Sequence, residues 1–405
     1  MRFPTIAGYA AAAALLVASL GPVSAAVVRH PVQFGPAVKD RVPQFVKWQA
    51  AGEMAAPILP KGMQLLVKSL RQGRPNLKMR PDAKTGLYVS STGYSYIIDM
   101  NKKGTKATGA LDTLTSGCEE PIGIKVDGSR NLWVACEFDE NTETGTIAEY
   151  VGGGSSSSNP AVTYYDPSPY ACPPSKCFFN EALATDVAFS TNGRLVFAAN
   201  IEDIAESSSS FFCCNGSVVY WKASKPTQAP TSITDPYMNN PIYLDVDNSG
   251  NVYVSGDGCI SSSDCGVVVD EYTPTSSGGY SVTNIVAPGY IGFAGGVYVS
   301  NGGTVLNLTD QIARTTTQYA LPWTGTGGVP PTPLNIIGPT FTNLIGEGDP
   351  VSGGFNKNDT DLAEGDAYGW LDTCKVPGSG SSTCSAHANI NFSEPEGAAY
   401  TPSDK

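Results

Sequence analysis

Histidine is nearly absent from this sequence, and its scarcity narrows the chemistry that the chain can perform. Only His30 and His387 occur among 405 residues. Serine-hydrolase triads need a histidine base, and zinc sites commonly use histidine as a ligand. A phosphate-cradling Gly-rich loop and a Gly-x-Ser-x-Gly elbow are also missing. The sequence therefore offers no recognisable residue set for nucleophilic catalysis or phosphoryl transfer.

Positive charge is scarce as well. The chain has 25 Lys and Arg against 37 Asp and Glu, which gives a net charge of −12. Ten of the basic residues fall within residues 29–80, where only two acidic residues occur, so the remainder of the chain is strongly acidic. Because nucleic-acid phosphates require a cationic surface, we expect no nucleic-acid partner.

Long apolar runs are confined to the N-terminus, which predicts a secretory signal peptide over residues 1–25. Arg2 supplies the positive start, Ile6–Leu20 the apolar region, and Val23–Ala25 the small residues before cleavage. No later segment is long and apolar enough to span a membrane. The sequence therefore predicts a secreted, periplasmic or cell-surface protein.

Residues 26–80 form a region of different composition after the predicted signal. Lys61–Gly73 has the apolar spacing of a helix, and Arg41–Ala56 fits a second, weaker helix. Two interpretations stay open for this basic extension. It is either a pro-segment or anchor that docks on the acidic body, or a partly ordered N-terminal extension.

Ten cysteines lie between residues 118 and 384, and an even number in an exported chain predicts disulfides. Their spacing favours local bridges, namely Cys118–Cys136, Cys172–Cys177, Cys259–Cys265 and Cys374–Cys384. The adjacent Cys213 and Cys214 then form either a vicinal ring or bonds elsewhere. Metal binding by cysteine is the open alternative, but no two CxxC units are available for it.

A repeated hairpin organises the acidic body. Asn239–Val254 reads as an alternating strand, a tight turn and a second strand. A triplet of apolar residue, aromatic residue and Val or Ala marks the second strand of five such hairpins. These triplets are Leu87–Val89, Leu132–Val134, Val196–Ala198, Val252–Val254 and Val297–Val299. Aromatic spacings of 45 to 64 residues are typical of propeller blades with insertions.

A sixth, less regular unit spans roughly residues 334–392, and Glu394–Pro402 resembles the first strand of another unit. We therefore predict an all-β, six-bladed β-propeller over residues 81–405, with four-stranded antiparallel blades. The C-terminal strand would complete blade one, so that no sheet edge stays open.

Two surface regions have more than one interpretation. Asp349–Asp366 is rich in oxygen ligands, so it is either a solvated loop between strands or a surface Ca²⁺ site. Residues 137–143 and 201–210 are insertions on a rim, where propellers usually bind partners. Phe211 and Phe212 beside the second insertion form either a binding tip or local packing.

Units such as Pro121–Ala135 resemble those of six-bladed NHL-repeat propellers. The chain is more loosely similar to the gluconolactonase (senescence-marker) and virginiamycin B lyase families. The gluconolactonase resemblance implies a Ca²⁺ or Mg²⁺ ion in the central channel. The matching positions are Glu120, Asp186, Asn240 and Glu396. The lyase resemblance implies a catalytic histidine, for which His387 is the sole candidate in the predicted propeller.

Two functional hypotheses follow. The first is an exported, disulfide-stapled and monomeric propeller that acts as a binding or scaffold module for a protein or carbohydrate through its rim loops. The alternative is a metal-dependent hydrolase or lactonase whose site lies in the central channel.

Overall fold

The computed structural model describes most of the predicted propeller region. The described residues are 86–92, 95–113, 118–138, 145–153, 160–165, 182–202, 205–207, 210–211, 216–261, 264–338, 350–366, 370–378, 382, 384–388 and 395–401. The predicted signal peptide, the basic extension, Cys172–Cys177 and Cys213–Cys214 lie outside these residues. Within them, no helix has the length and apolar character needed to cross a bilayer.

Six four-stranded antiparallel sheets make up the fold, and each is one blade. Blade one contains β26 (Ala398–Tyr400), β1 (Leu87–Ser91), β2 (Tyr96–Met100) and β3 (Ala107–Asp112). Blade two contains β4 (Glu119–Val126), β5 (Leu132–Phe138), β6 (Thr146–Tyr150) and β7 (Val162–Tyr165). Blade three contains β8 (Ala182–Phe189), β9 (Leu195–Glu202), β12 (Ser217–Lys222) and β13 (Thr231–Ile233), and a small hairpin of β10 (Ala205–Ser207) and β11 (Ser210–Phe211) interrupts it.

The other three blades continue the pattern in chain order. Blade four contains β14 (Met238–Val246), β15 (Val252–Ser261), β16 (Asp264–Pro274) and β17 (Tyr280–Val286). Blade five contains β18 (Ala294–Ser300), β19 (Val305–Asp310), β20 (Thr315–Ala320) and β21 (Asn335–Ile337). Blade six contains β22 (Pro350–Phe355), β23 (Asp361–Asp366), β24 (Trp370–Lys375) and β25 (Cys384–Ala388).

The inner strands of the blades close into a ring. Strands β26, β4, β8, β14, β18 and β22 each contact the next in this order, and β22 contacts β26. The predicted closure of blade one by the C-terminal strand is confirmed, because Leu87 pairs with Tyr400 and Val89 with Ala398. At the same seam, the Ser90 N–H donates to the Gly397 carbonyl at 2.9 Å. Closure therefore satisfies backbone groups that would otherwise line an open edge.

Side chains of Asp and Asn build the turns that the sequence predicted. In the hairpin of blade four, Asp247 accepts hydrogen bonds from the Ser249 and Asn251 N–H groups at 2.8 and 2.9 Å. Its second oxygen accepts from Asn251 Nδ2 and the Tyr253 hydroxyl. Asp127 repeats this arrangement in blade two. This carboxylate therefore acts as a turn residue, as the hairpin interpretation required.

Polar clamps join consecutive blades. The Thr92 hydroxyl of blade one donates to the Pro121 carbonyl of blade two at 2.8 Å. The Thr185 hydroxyl of blade three donates to the Ile242 carbonyl of blade four at 2.7 Å. The Ser255 hydroxyl of blade four reaches the Gly295 carbonyl of blade five at 2.9 Å. Apolar side chains supply the area between blades, while these bonds fix the register of neighbouring blades.

Three disulfides link described cysteines, and all three match the predicted local pairs. They are Cys118–Cys136, Cys259–Cys265 and Cys374–Cys384. The first ties the start of β4 to β5, and the other two join adjacent strands within blades four and six. Each bridge therefore reinforces a pairing within one blade.

Two sequence predictions about strand positions are wrong. Val297–Val299 lies on β18, the inner strand of blade five, and not on a second strand. The described part of the segment predicted as a solvated loop, residues 350–366, instead forms β22, β23 and the hairpin turn between them. In both cases, strands buried on both faces do not show the alternation that would distinguish their position. The sixth blade accordingly starts at Pro350 in the described residues.

We expect that Gly397→Ala will lower the free energy of unfolding by about 2 kcal/mol, because a methyl group there overpacks the seam. A Cβ at this position would lie 2.4 Å from the Ile122 carbonyl oxygen of blade two. The matched control is Gly128→Ala, where a Cβ has no neighbour within 4 Å. Urea denaturation measures the free energy of unfolding of both variants. Equal losses would show that the close approach of residue 397 to the Ile122 carbonyl oxygen does not restrict the side chain at the seam.

Candidate functional site

The four residues of the predicted channel metal site occupy different registers on the inner strands. Val187, Ile124, Leu244 and Ala398 each pair with the last residue of a triplet and so mark one level of the ring. Asp186 lies one residue before this level and Glu396 two residues before it. Glu120 and Asn240 lie four residues before it. Strands β4, β8 and β14 each contain a β-bulge in the few residues before this level. Because a bulge adds a residue to one strand, counting along the sequence does not show how far each side chain lies from the level.

Asp186 serves as a clamp between blades three and four. One of its oxygens accepts from the Val187 N–H at 2.9 Å, and the other accepts from the Leu244 N–H at 3.1 Å. Burial raises the pKa of Asp186 to about 6, although the nearby Lys125 ammonium opposes the shift. The carboxylate therefore already has two backbone donors, which is a sufficient structural role for a buried acid.

The other three predicted ligands differ in environment. Asn240 is buried, and its Oδ1 has no hydrogen-bond partner. Glu396 is buried beside the seam. Glu120 is partly buried and adopts a left-handed backbone with φ of 49°. Within the described ranges, no group of three or more His, Cys, Asp or Glu side chains is arranged to hold a metal ion. Metal binding by these four residues stays a prediction.

A charged cluster that the sequence did not predict lies among the inner strands. Lys125 Nζ of blade two is 3.9 Å from the Asp245 carboxylate of blade four and 5.5 Å from the Tyr298 ring centre of blade five. Asp245 also accepts from the Val299 N–H at 2.8 Å. The lysine thus contacts side chains from two blades that are not its sequence neighbours. Charge pairing and a cation–π contact hold it in place.

Asp257 is another acidic residue that the sequence did not indicate as part of a functional site. It is partly buried on β15, and Asn240 of the predicted metal set is its cross-strand partner. Desolvation by burial raises the pKa of Asp257 to about 7. This carboxyl group therefore exchanges its proton near neutral pH, a property of acid–base groups in functional sites and of poorly solvated structural acids alike.

A groove with a volume of about 640 Å³ lies between blades six and one. We call it the seam groove. Its walls come from the β2–β3 turn, the β22–β23 turn and the two outer strands of blade six. The lining residues are Lys102, Lys103, Thr105, Asn356, Lys357, Asn358, Asp361, Thr373, Lys375, His387 and Tyr400.

Basic and hydrogen-bonding side chains dominate the seam groove. Four lysines line it, although the described residues contain only eleven Lys and Arg in total. Its carboxylate, Asp361, forms an ion pair with Lys375. His387 lies on β25, the edge strand of blade six, and its Nε2 is 2.8 Å from the Thr373 hydroxyl. The groove is thus a local positive site on an acidic protein.

Local turn chemistry holds the two lysine-bearing turns in place. The side-chain oxygen of Asn101, Oδ1, accepts a hydrogen bond from the Thr105 N–H at 2.9 Å. The equivalent oxygen of Asn356 accepts from the Thr360 N–H at 2.9 Å. These Asx-type bonds fix the backbone at Lys102–Lys103 and at Lys357. The sequence signal was weak, because the lysines belong to segments some 250 residues apart that only ring closure brings together.

We expect Asp257→Asn to stabilise the protein at pH 8 and to have little effect at pH 4. The folded-state pKa of Asp257 is about 7, above its ordinary value of 3.8, so the folded protein favours the protonated carboxyl group. The stability that this preference gives is fully present below pH 3.8 and is lost as the pH rises through 7. The asparagine variant escapes that loss, and we expect a relative gain of about 1–2 kcal/mol at pH 8. Denaturation at both pH values measures it, and a pH-independent difference would contradict the assignment.

Comparison with known proteins adds a likeness of fold. No family model and no curated protein matches the chain. The Cps50 (Swd1) β-propeller domain of Myceliophteria thermophila aligns with a TM-score of 0.47 at 10% identity, over 80% of this chain and 89% of that one. A functionally unknown protein from Desulfotomaculum acetoxidans DSM 771 aligns with a TM-score of 0.48 at 10% identity, over 78% and 99%. The Dos1 propeller gives 0.41 at 12% identity, over 72% and 64%. These values assign neither family nor function, and the fold rests on the strand pairing itself.

Proposed function

We propose that this protein is an exported binding module whose seam groove takes an acidic carbohydrate. The observation that carries the proposal is the concentration of four lysines around this groove of an otherwise acidic propeller. A polymer with regularly spaced carboxylate or sulfate groups can contact several ammonium groups at once. Such contacts are individually weak at an exposed surface, so the affinity depends on their number.

The remaining lining residues suit a sugar. Asn356, Asn358, Thr105 and Thr373 present amide and hydroxyl groups that can exchange hydrogen bonds with ring hydroxyls. The groove is open, which fits an extended chain better than a small molecule that needs enclosure. Nucleic acid would meet the acidic remainder of the surface, and that repulsion favours a ligand that engages the groove alone.

Export and monomeric state belong to the same proposal. The three described disulfides indicate an oxidising compartment, and the N-terminal residues 1–25 have the composition of a secretory signal. The resemblance to NHL-repeat propellers supports a scaffold that presents loops and grooves to partners, since the fold itself specifies no reaction.

A metal-dependent hydrolase or lactonase with its centre in the channel is the second candidate. The observation in its favour is Asn240, whose buried Oδ1 lacks a hydrogen-bond partner and is available to a ligand. Ca²⁺ or Mg²⁺ held by Glu120, Asp186, Asn240 and Glu396 would supply Lewis-acid chemistry at a substrate carbonyl. Hydrolysis of a sugar lactone that Glu120→Gln abolishes would support this candidate.

We expect the double variant Lys103→Glu/Lys357→Glu to bind polygalacturonate at least tenfold more weakly than the unaltered protein. Reversing two charges replaces attraction by repulsion on both walls of the groove. The matched control, Lys222→Glu/Lys225→Glu, makes the same charge change at exposed positions of blade three. Isothermal titration calorimetry at two salt concentrations measures both, and binding should weaken with salt.

Three outcomes would refute the proposal. The groove variant could bind as tightly as the unaltered protein, the control could lose binding to the same extent, or neutral dextran could bind as well as the acidic polymer. The first two would show that the groove is not the binding surface. The third would remove the charge argument.

A further inference from the structure

The interface between blades five and six is unusually polar for a buried surface. Tyr298 and Leu362 supply apolar contact at one end of it. Beyond them, Thr309 and Thr316 of blade five meet Glu364 of blade six, and all three side chains are at most 2% exposed. The hydroxyl clamps between earlier blades reach backbone carbonyls one at a time, whereas here two hydroxyls meet a side-chain carboxylate.

The oxygens of these three side chains form a close triangle. Both threonine hydroxyls lie 2.8 Å from Glu364 Oε1, and they lie 2.9 Å from each other. When Glu364 is ionised, two hydroxyl protons cannot satisfy three such contacts, because each hydroxyl donates only once. One contact then brings two oxygens together without a proton between them. A cation removes that conflict when oxygen lone pairs converge on it.

Further carboxylate oxygens nearby lack partners. Asp372 is fully buried, and neither of its oxygens has a hydrogen-bond partner. Glu364 Oε2 is also buried without one within hydrogen-bond geometry, although the buried Tyr298 hydroxyl lies close enough to interact with this carboxyl group. The two residues are direct cross-strand partners on β23 and β24, which places their side chains on the same face of the sheet. Two acids thus lie side by side on one face of blade six, and three of their oxygens lack hydrogen-bond partners.

Electrostatics at this position are one-sided. The described residues include no lysine or arginine ion-paired with Glu364 or Asp372. An unpaired buried carboxylate is strongly unfavourable, so either protons or a cation must neutralise the pair.

We propose that Ca²⁺ binds between blades five and six, held by the carboxylates of Glu364 and Asp372 and the hydroxyls of Thr309 and Thr316. The set contains two carboxylates and two hydroxyls, and it is separate from the four predicted channel ligands. Hard oxygen donors of irregular geometry suit Ca²⁺ better than Mg²⁺, which demands a near-ideal octahedron. An exported protein also meets Ca²⁺ at concentrations sufficient for weak extracellular sites.

The ion would act as a staple between blades. Its ligands come from β19 and β20 on one side and from β23 and β24 on the other. Between blades five and six, the ion would have the role that hydrogen-bonded clamps have between the earlier blades. Binding would thereby stabilise the ring next to its seam, because a ligand that binds only the folded state raises the apparent stability.

Thermal unfolding of the EDTA-treated full-length protein at pH 8 tests the proposal, with CaCl₂ as the probe. We expect about 1 mM Ca²⁺ to raise the Tm by about 3 °C or more, and the same concentration of MgCl₂ to raise it less. Asp372→Asn should raise the Tm of the metal-free protein, because it removes a buried charge, and should abolish the Ca²⁺ response. Asp361→Asn, an acid of the same blade in the seam groove, should retain the response.

Equilibrium dialysis with radioactive calcium is the second measurement. We expect the Kd for Ca²⁺ to be at least tenfold higher in Glu364→Gln and Asp372→Asn than in the unaltered protein. Absence of bound calcium in the unaltered protein would overturn the proposal. A full Ca²⁺ response in Asp372→Asn would do the same. A response that Glu120→Gln removes and Asp372→Asn retains would assign the ion to the channel instead.

Discussion

The ring depends on one set of backbone hydrogen bonds, those between the C-terminal strand β26 and β1. Without β26, blade one would have three strands and an exposed edge, and the inner ring would lack the strand that β22 and β4 both contact. Closure joins segments more than 300 residues apart, at a considerable cost in chain entropy. It also creates the seam groove, since the lysine-bearing turns of blades one and six become neighbours only in the closed ring.

Polar groups have two separate roles in this ring. Thr92, Thr185 and Ser255 each donate a hydrogen bond to a backbone carbonyl of the next blade, so each hydroxyl proton has an acceptor. Carboxylates such as Asp186 and Asp245 also bridge blades, with backbone N–H groups as partners. Burial raises the pKa of Asp186 even with these partners, and the desolvation of a buried carboxylate that lacks them is uncompensated. The unsatisfied acids therefore mark positions where ligand or proton binding can contribute to stability.

The sequence was informative where local chemistry determines structure and uninformative where tertiary register does. Asp127 and Asp247 specify their turns through bonds within six residues, so the hairpins could be predicted. Val297–Val299 could not be assigned to its strand, since inner and second strands are both buried and carry the same residue types. Glu364 and Asp366 suggested a solvated loop because acids are rarely buried, yet both are 1% exposed. β-Bulges shifted Asp186 relative to Asn240, and ring closure assembled the groove lysines from distant segments.

The seam groove and the polar interface share the hairpin of β23 and β24. Strand alternation places Asp361, Thr373 and Lys375 on the face toward the groove, and Glu364 and Asp372 on the face toward blade five. Any negative charge on the buried face therefore lies one sheet thickness behind the groove and weakens its positive potential. A divalent cation at the buried face would cancel that charge. Binding of Ca²⁺ there would therefore favour binding of an anion in the groove. By linkage, Ca²⁺ would strengthen anion binding in the groove by the same factor that the anion strengthens Ca²⁺ binding.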